Sequence, residues 1–403
     1  MRNTPKVLIL MLVCGLLTFG PSSLSHAETA KSGNVLLTWM SVTNWLFEAG
    51  DTRILTDGYI TRIPEQAFSG VGFATATPAK LDVPAIQRLI AGLGASGKIN
   101  FILTGHSHFD HSFDTAAWAK LTGARIIGSR STCLQAVAQG IPSSQCTAVE
   151  GGEVLPLGEH VSVRVVRWNH SGDVSTPMGR VLYTPLELTN RPSITSATAG
   201  LRPGTLQDFP NGGGARAYLF TATTTDGPVH WFYSNTGNAD TFLSPAAVDK
   251  GFFQTQGLSL DNLDFATQQT PPQNNLRAAL TAAGLDHVGL WIGYSDRRLS
   301  EAVCRTLRPQ AHIPHHWDGL FSPFFDGLPF SYATVAGTDA VVEFFKTQRV
   351  ALLPPRQYMD KFTLTVNGVT PTANDEIKAV LGFTKPPPTA SGIAREKIAA
   401  HSD

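Results

Sequence analysis

Residues 106–111 read His-Ser-His-Phe-Asp-His, which brings three imidazoles and one carboxylate together within six positions. They follow the apolar segment 99–104, whose pattern predicts a buried strand. A loop at the end of a strand directs such side chains towards one point, and mixed nitrogen and oxygen ligands suit zinc. The alternative is a polar loop with incidental histidines, which four potential ligands in six residues disfavour. The segment therefore predicts a metal site.

Two later histidine positions are candidates for the other ligands of a two-metal site. His170 follows the β-rich segment 154–168, and His316 lies within His-Ile-Pro-His-His-Trp-Asp at 312–318. A lone histidine after a strand is more often a hydrogen-bonded loop residue, but the upstream cluster favours a ligand at His170. His315 and His316 are adjacent, so the residues alone leave open which of the two is the ligand.

This arrangement resembles the metallo-β-lactamase superfamily, in which an H-x-H-x-D-H cluster, an isolated His, a strand-terminal Asp and a late His recur along the chain. Residues 53–57 are similar to the early strand whose terminal aspartate, here Asp57, supports the metal-binding loop. Residues 313–317 resemble the branch typified by ascorbate-6-phosphate lactonase and the N-acylphosphatidylethanolamine-hydrolysing phospholipase D. The resemblance implies an αββα sandwich of two mixed β-sheets flanked by helices.

The resemblance also implies the ligands and the chemistry. Each of two ions would have three ligands: His106, His108 and His170 for one, and Asp110, His111 and His316 for the other. The implied cofactor is zinc, as one or two ions, with manganese and iron left open. Metal-bound hydroxide would attack a carbonyl centre, while Asp110 orients it and passes its proton to the leaving group.

The sequence departs from this family pattern at Asn235. Residues 231–237 are similar to the family's S-G-D-T-G stretch, and Asn235 stands at the position of the bridging aspartate. A neutral amide does not bridge two cations as a carboxylate does, and Asp240 could take that place only if its loop folds back. A catalytically idle, metal-binding recognition protein is therefore an alternative to a hydrolase.

Aromatic residues after the last ligand position bear on the substrate. Phe321, Phe324 and Phe325 form an apolar wall beside the site in one interpretation and pack the edge of the sandwich in the other. An apolar wall without a basic field favours a lactone, ester or amide substrate. A phosphodiesterase on the same fold is the alternative.

The amino-acid composition limits the kinds of partner that the protein is expected to bind. The chain has 403 residues, 31 basic and 31 acidic side chains, and 15% charged residues against a typical share of about 25%. This composition excludes disorder over most of the chain, and it contains no excess of basic residues for binding nucleic acid. We therefore expect a small-molecule substrate; the oligomeric state stays open.

The first 27 residues have the pattern of a cleaved export signal. Arg2 and Lys6 precede an apolar run at 7–17, and Ser-His-Ala at 25–27 offers small residues for cleavage. The run is shorter than the ~20 residues that span a bilayer, so we expect no stable membrane insertion after cleavage. The protein is expected to be exported, periplasmic or secreted. Three cysteines follow, and we expect a disulfide between Cys133 and Cys146.

The remaining residues, 28–403, are expected to form a single domain. Short β-type runs begin it, helices and strands alternate from residue 83 onwards, and a second set of strands and helices starts at 215. Residues 171–214 are rich in Pro, Thr, Ser and Gly and interrupt this alternation. We interpret them as an insertion over one face.

Overall fold

The computed structural model describes residues 33–64, 78–172, 175–193, 200–210 and 214–384, so the expected export signal at 1–27 lies outside the described residues. The strands, in chain order, are β1 (Val35–Ser41), β2 (Asn44–Ala49), β3 (Thr52–Thr56), β4 (Phe101–Leu103), β5 (Arg125–Gly128), β6 (Cys146–Ala148), β7 (Val154–Pro156), β8 (Val161–Arg167), β9 (Glu187–Leu188), β10 (Arg216–Thr224), β11 (Gly227–Ser234), β12 (Leu263–Asp264), β13 (Val288–Gly293), β14 (Pro309–Pro314), β15 (Ala351–Leu352), β16 (Lys361–Thr365) and β17 (Gly368–Thr372).

The α-helices of the described residues follow the same order. They are α1 (Val83–Leu93), α2 (Phe109–Ser112), α3 (Thr115–Thr122), α4 (Arg130–Ala138), α5 (Pro177–Tyr183), α6 (Ala239–Leu243), α7 (Lys250–Thr255), α8 (Pro272–Ala282), α9 (Arg297–Leu307), α10 (Thr338–Gln348) and α11 (Asp375–Leu381). Their ends follow local chemistry: Asp82 and Asp296 cap α1 and α9 by accepting hydrogen bonds from backbone N–H groups of the first turn. Within the described ranges, no helix is both long and apolar enough for a membrane span.

Two large sheets organise the fold. The first has the strand order β17-β16-β1-β2-β3-β4-β5-β6, and the second has the order β15-β14-β13-β11-β10-β8-β7. Both are mixed: β3 to β6 are parallel neighbours in one, and β11, β13, β14 and β15 are parallel neighbours in the other. This is the predicted α/β class with two mixed sheets.

Aromatic side chains pack the two sheets face to face. Phe47 of the first sheet contacts Phe220, Trp231 and Tyr233 of the second, with ring centroids 5.5, 5.7 and 6.3 Å apart. Helices α1, α3 and α4 add side chains to this same core, while α8, α9 and α10 pack in a second cluster with Trp291. The arrangement is the predicted αββα sandwich.

The predicted insertion contains regular structure where it is described. Helix α5 and strand β9 lie within 171–214, and β9 pairs with β12. Glu187 of β9 accepts hydrogen bonds from the backbone N–H and the hydroxyl of Ser131 in α4. Its carboxylate also lies 3.6 Å from the buried Arg216 guanidinium, so this part of the segment is fixed to the sandwich.

The expected disulfide is present and joins α4 to β6 through Cys133 and Cys146, which are 13 residues apart. Cys304 is half-buried on α9 and is not bonded. Because the bridge closes a short loop in the unfolded chain, we expect the double substitution of Cys133 and Cys146 by alanine to cost about 3 kcal/mol. Urea unfolding measures this loss, and Cys304→Ala is the matched control. An equal loss in the control would contradict the expectation.

Candidate metal centre

The segment 106–111 occupies the turn between β4 and α2. His108 is the N-terminal cap residue of α2, so His106 and His108 precede the helix while Asp110 and His111 lie on it. Gly105 allows the segment to approach the second sheet, because a Cβ atom there would lie 2.1 Å from the Asn235 amide nitrogen. Strands β4, β11 and β14 all end near this point, and their carboxyl ends thus carry the site.

One group of candidate ligands consists of His106, His108 and His170, the same three residues that the resemblance implied. One nitrogen from each ring lies within 4.8 Å of the other two. The ring centroids are 4.6 to 4.7 Å apart. His170 follows β8, and its Nδ1 lies 2.7 Å from the carbonyl oxygen of Ser171, which fixes the orientation of the ring. We call these three residues the first triad.

The second triad consists of Asp110, His111 and His316. Asp110 Oδ2 lies 3.2 Å from His111 Nε2 and 3.1 Å from His316 Nε2, and the two Nε2 atoms are 3.3 Å apart. The triads adjoin one another, since the rings of His106 and His111 are 4.0 Å apart. Six side chains from three separate parts of the chain, 106–111, 170 and 316, therefore form one centre.

The structure distinguishes His316 from His315. Both ring nitrogens of His315 already have partners: Nε2 lies 3.0 Å from the Ser234 carbonyl oxygen, and Nδ1 accepts a hydrogen bond from the Trp45 indole at 3.1 Å. His316 instead faces the second triad. Its backbone is left-handed, with φ of 63°, and its N–H donates to the Val42 carbonyl at 3.0 Å. This turn after β14 directs consecutive histidines to different sides.

Electrostatics separate the two triads. Burial, reinforced by neighbouring imidazoles, lowers the pKa of His106 and His170 well below 6.5, so these rings are neutral at pH 7. Burial acts against charge on Asp110 as well, but His111 and His316 hold the pKa of that carboxyl well below its usual range. Burial also opposes charge on His111, whereas Asp110 and Asp57 raise its pKa to about 9. The second triad thus contains the carboxylate of the centre, held in its charged form by the histidines beside it.

Asp57 supports the centre from behind, as the resemblance implied. It follows β3, is fully buried and has a left-handed backbone with φ of 55°. Its Oδ1 accepts from the Gly105 N–H at 2.7 Å, and its Oδ2 lies 3.0 Å from His111 Nδ1. Tyr233 and Thr43 donate their hydroxyls to Oδ2 at 2.7 and 2.6 Å. Sequence reasoning missed these two donors, because no spacing relates them to the ligand motif.

Asn235 lies between Asp57 and the ligands. Its Nδ2 donates to Asp57 Oδ2 at 2.9 Å and lies 3.1 Å from His111 Nδ1, and its Oδ1 lies 3.2 Å from His106 Nδ1. Its amide therefore contacts the Nδ1 atoms of two ligands. Asp240 does not approach the triads: it is exposed and forms an ion pair with Arg298 at 2.8 Å.

The three phenylalanines of the predicted substrate wall lie in different surroundings. Phe321 is half-buried and stacks on Phe109 of α2, next to the second triad. Phe324 is buried against Tyr358, and Phe325 lies under the Arg88 guanidinium at 3.8 Å. Phe324 and Phe325 therefore pack against other parts of the fold, as the second of the two interpretations states. Of the three phenylalanines, Phe321 is the one that contacts the ligand segment, through Phe109.

The residues present fit a metal ion. His106 Nε2 is buried and has no hydrogen-bond partner in the described part of the protein. Leaving such a nitrogen unpaired costs free energy that a bound cation removes. Three imidazoles in one triad, and two imidazoles with a carboxylate in the other, are ligand sets that suit zinc. The centre is therefore suited to hold a cation at each triad.

The two mixed sheets, the flanking helices and the paired triads at the strand ends have the arrangement that the resemblance to the metallo-β-lactamase superfamily implies. Part of the chain is similar to curated proteins described as metal-dependent hydrolases. The chain is 29% identical over 147 residues to a UPF0173 metal-dependent hydrolase of Pyrobaculum arsenaticum, covering 36% of this chain and 56% of the relative. It is 34% identical over 91 residues to the Pyrobaculum calidifontis protein of the same description, covering 23% and 40%. The chain thus matches about half the length of these curated relatives.

Solved structures are similar at lower sequence identity. Igni18, a metallo hydrolase of Ignicoccus hospitalis, is 11% identical with a TM-score of 0.44, over 82% of this chain and 98% of that one. MEM-A1, a subclass B3 metallo-β-lactamase from a soil metagenome library, is 16% identical with a TM-score of 0.33, over 66% and 77%. No protein-family model matches the chain.

Proposed function

We propose that the protein is an exported, zinc-dependent hydrolase that acts on a carbonyl centre in a lactone, ester or amide. The observation that carries this proposal is the pair of adjoining triads, in which one ligand atom from each residue converges within 4.8 Å of the others in its triad. When bound, the metal supplies Lewis-acid chemistry, lowering the pKa of water and polarising the substrate oxygen. The similarity to metal-dependent hydrolases supports this proposal.

Asp110 carries the proton in this scheme. It is a carboxylate at neutral pH, because His111 and His316 stabilise its charged form. One of its carboxylate oxygens accepts a proton from the attacking water and passes it to the leaving oxygen or nitrogen, which leaves the carboxylate unchanged at the end of the reaction. The histidines of both triads would hold the metal. The contact of His170 Nδ1 with the Ser171 carbonyl limits rotation of that ring, and the hydrogen bond from the His316 N–H to Val42 fixes the backbone that positions His316.

The surroundings of the second triad support a neutral, partly apolar substrate. Phe109 and Phe321 stack beside it and belong to an apolar cluster with Tyr59 and Leu320. Two arginines that follow β13 are already paired: Arg297 with Glu301 and Arg298 with Asp240, both at 2.8 Å. Such pairing leaves them less suited to binding a phosphodiester.

Export is proposed on separate grounds. The disulfide between Cys133 and Cys146 is of a kind that persists in oxidising compartments. It agrees with the charged and apolar pattern of residues 1–27. Fractionation of cells expressing the full chain tests this part: a processed protein outside the cytoplasm is the expected result, and an unprocessed cytoplasmic protein contradicts it.

A substrate panel tests the activity. Lactones, p-nitrophenyl esters, β-lactams and bis(p-nitrophenyl) phosphate are incubated with the full chain before and after chelation. We expect turnover of at least one carbonyl substrate, its loss on chelation and its return with zinc. Turnover restricted to the phosphodiester would reverse the substrate assignment. Stoichiometric zinc binding without turnover of any compound would favour the idle recognition protein.

A further inference from the structure

Asn235 connects one ligand of each triad through a single amide group. It is fully buried at the end of β11. Its Oδ1 lies 3.2 Å from His106 Nδ1, and its Nδ2 lies 2.9 Å from Asp57 Oδ2. Asp57 Oδ2 in turn lies 3.0 Å from His111 Nδ1. The chain of contacts therefore runs from His106 through Asn235 and Asp57 to His111.

The donor directions in this chain follow from the chemistry of Asp57. A carboxylate only accepts, so the Asn235 NH₂ group must face Asp57 and the Asn235 carbonyl must face His106. That carbonyl also only accepts, which requires the proton of His106 on Nδ1. His106 Nε2, the buried nitrogen without a partner in the described residues, then presents a lone pair. In the same way, Asp57 accepts from Nδ1 of His111 and leaves its Nε2 towards Asp110.

We propose that Asn235 is a positioning residue that fixes the ring and tautomer of His106, and through Asp57 those of His111, for metal binding. The proposal rests on the metal dependence proposed above. It assigns the amide a role on the Nδ1 side of the ligands instead of a place between two ions. One amide can serve both triads because their inner rings, His106 and His111, are neighbours at 4.0 Å.

The amide suits its neighbours in this arrangement. In the absence of a cation, an aspartate at position 235 would place a carboxylate oxygen against Asp57 Oδ2, where Nδ2 now donates at 2.9 Å, and two carboxylates in contact repel. The close approach of the ligand segment depends on Gly105, since a Cβ atom there would lie 2.1 Å from Asn235 Nδ2. The contact with Asp57 favours an orienting amide over a substitute for a bridging carboxylate.

Substitution of Asn235 tests the proposal. Zinc affinity is measured by competition with a chromophoric chelator, and zinc content by mass spectrometry, for the wild type, Asn235→Asp and Asn235→Ala. We expect each variant to bind zinc about 10–100-fold more weakly, as loss of a ligand-orienting partner does. Nitrogen-15 NMR of the histidines in chelated Asn235→Ala is expected to show the His106 proton shared between Nδ1 and Nε2, a change that a merely structural defect would not produce.

Two results would overturn the proposal: Asn235→Asp binding zinc more tightly or in greater number than the wild type, or Asn235→Ala keeping the His106 proton on Nδ1 as in the wild type. Asn374→Asp is the matched control, because Asn374 is a buried asparagine whose amide donates to the Met359 carbonyl at 2.8 Å. Its zinc affinity should stay at the wild-type value.

If the variants do not fold, a measurement on the wild type still tests the proposal. Nitrogen-15 NMR of the chelated full chain, labelled at histidine, is expected to show the His106 proton on Nδ1. A proton on Nε2 would overturn the proposal. Absence of zinc binding by the wild type would defeat the proposed function, whereas unchanged binding by folded Asn235 variants would defeat only this inference.

Discussion

Replacing Asp110 by asparagine is expected to lower the hydrolysis rate by about 10²–10⁴-fold, which is the contribution of a positioned acid–base group. The substitution keeps the shape of the side chain but removes the group that accepts the proton. It also removes the charge that raises the pKa of His111 to about 9. The measurement is kcat and kcat/KM on the best substrate of the panel, at saturating zinc. Unfolding by urea is followed in parallel to show that the variant is folded.

The control for this experiment is Asp240→Asn. Asp240 is an exposed carboxylate on α6, five residues after Asn235, and its partner is Arg298 on the surface. Its replacement is expected to leave turnover unchanged. Replacement of His108 by alanine should match Asp110→Asn in its loss of activity, since a triad without one imidazole holds its ion poorly. Undiminished turnover in either His108→Ala or Asp110→Asn would rule out the mechanism.

Replacing Asp57 by alanine is expected to lower the free energy of unfolding by about 3–5 kcal/mol, the usual cost of removing one partner of a buried ion pair. The substitution removes an acceptor from the hydroxyls of Tyr233 and Thr43, the amide of Asn235 and the N–H of Gly105, and of these the Tyr233 hydroxyl keeps the Thr43 carbonyl as a second acceptor. Alanine also tolerates the left-handed backbone at this position poorly. Equilibrium unfolding in urea measures the loss.

Two controls separate these contributions. Asp57→Asn keeps a residue type that tolerates a left-handed backbone, so its loss of stability should be the smaller of the two. Asp82→Ala removes an exposed carboxylate that caps α1 and is expected to cost only ~1 kcal/mol. A stability loss for Asp57→Ala no larger than that for Asp82→Ala would contradict the buried role of Asp57.

The ligand segment could be predicted because its information is local. Spacing within 106–111 places four ligand types around one turn, and the apolar strand before them predicts where that turn lies. His170 and His316 required the family resemblance, since a lone histidine after a strand has no spacing of its own. The residues alone do not distinguish His316 from His315. The structure does so through the left-handed backbone at 316, a conformation that no neighbouring residue predicts.

Some of the strands and helices are likewise predicted by local sequence patterns, and others are not. Strands such as β10 and β11 are long apolar runs, and the pattern predicts them to within a few residues. The apolar pattern does not predict the hairpin of β16 and β17, because its five-residue strands have few apolar side chains. The hairpin is stabilised by the pairing of β16 with β1. The apolar spacing also predicts a helix over 113–121, which α3 at Thr115–Thr122 confirms. The short helix α2, which begins at Phe109 directly after the cap residue His108, is not predicted by that spacing.

Local patterns in the sequence thus predict the candidate metal-binding segment and the disulfide between Cys133 and Cys146, because each depends on residues that are near one another in the chain, whereas the αββα fold is what the family resemblance implies. The role of Asn235 depends on contacts across 129 and 178 positions, to His106 and Asp57. Such contacts exist only after two sheets have packed face to face. Sequence reasoning recognises Asn235 as a departure from a pattern, whereas packing places its amide against the Nδ1 atoms of two ligands.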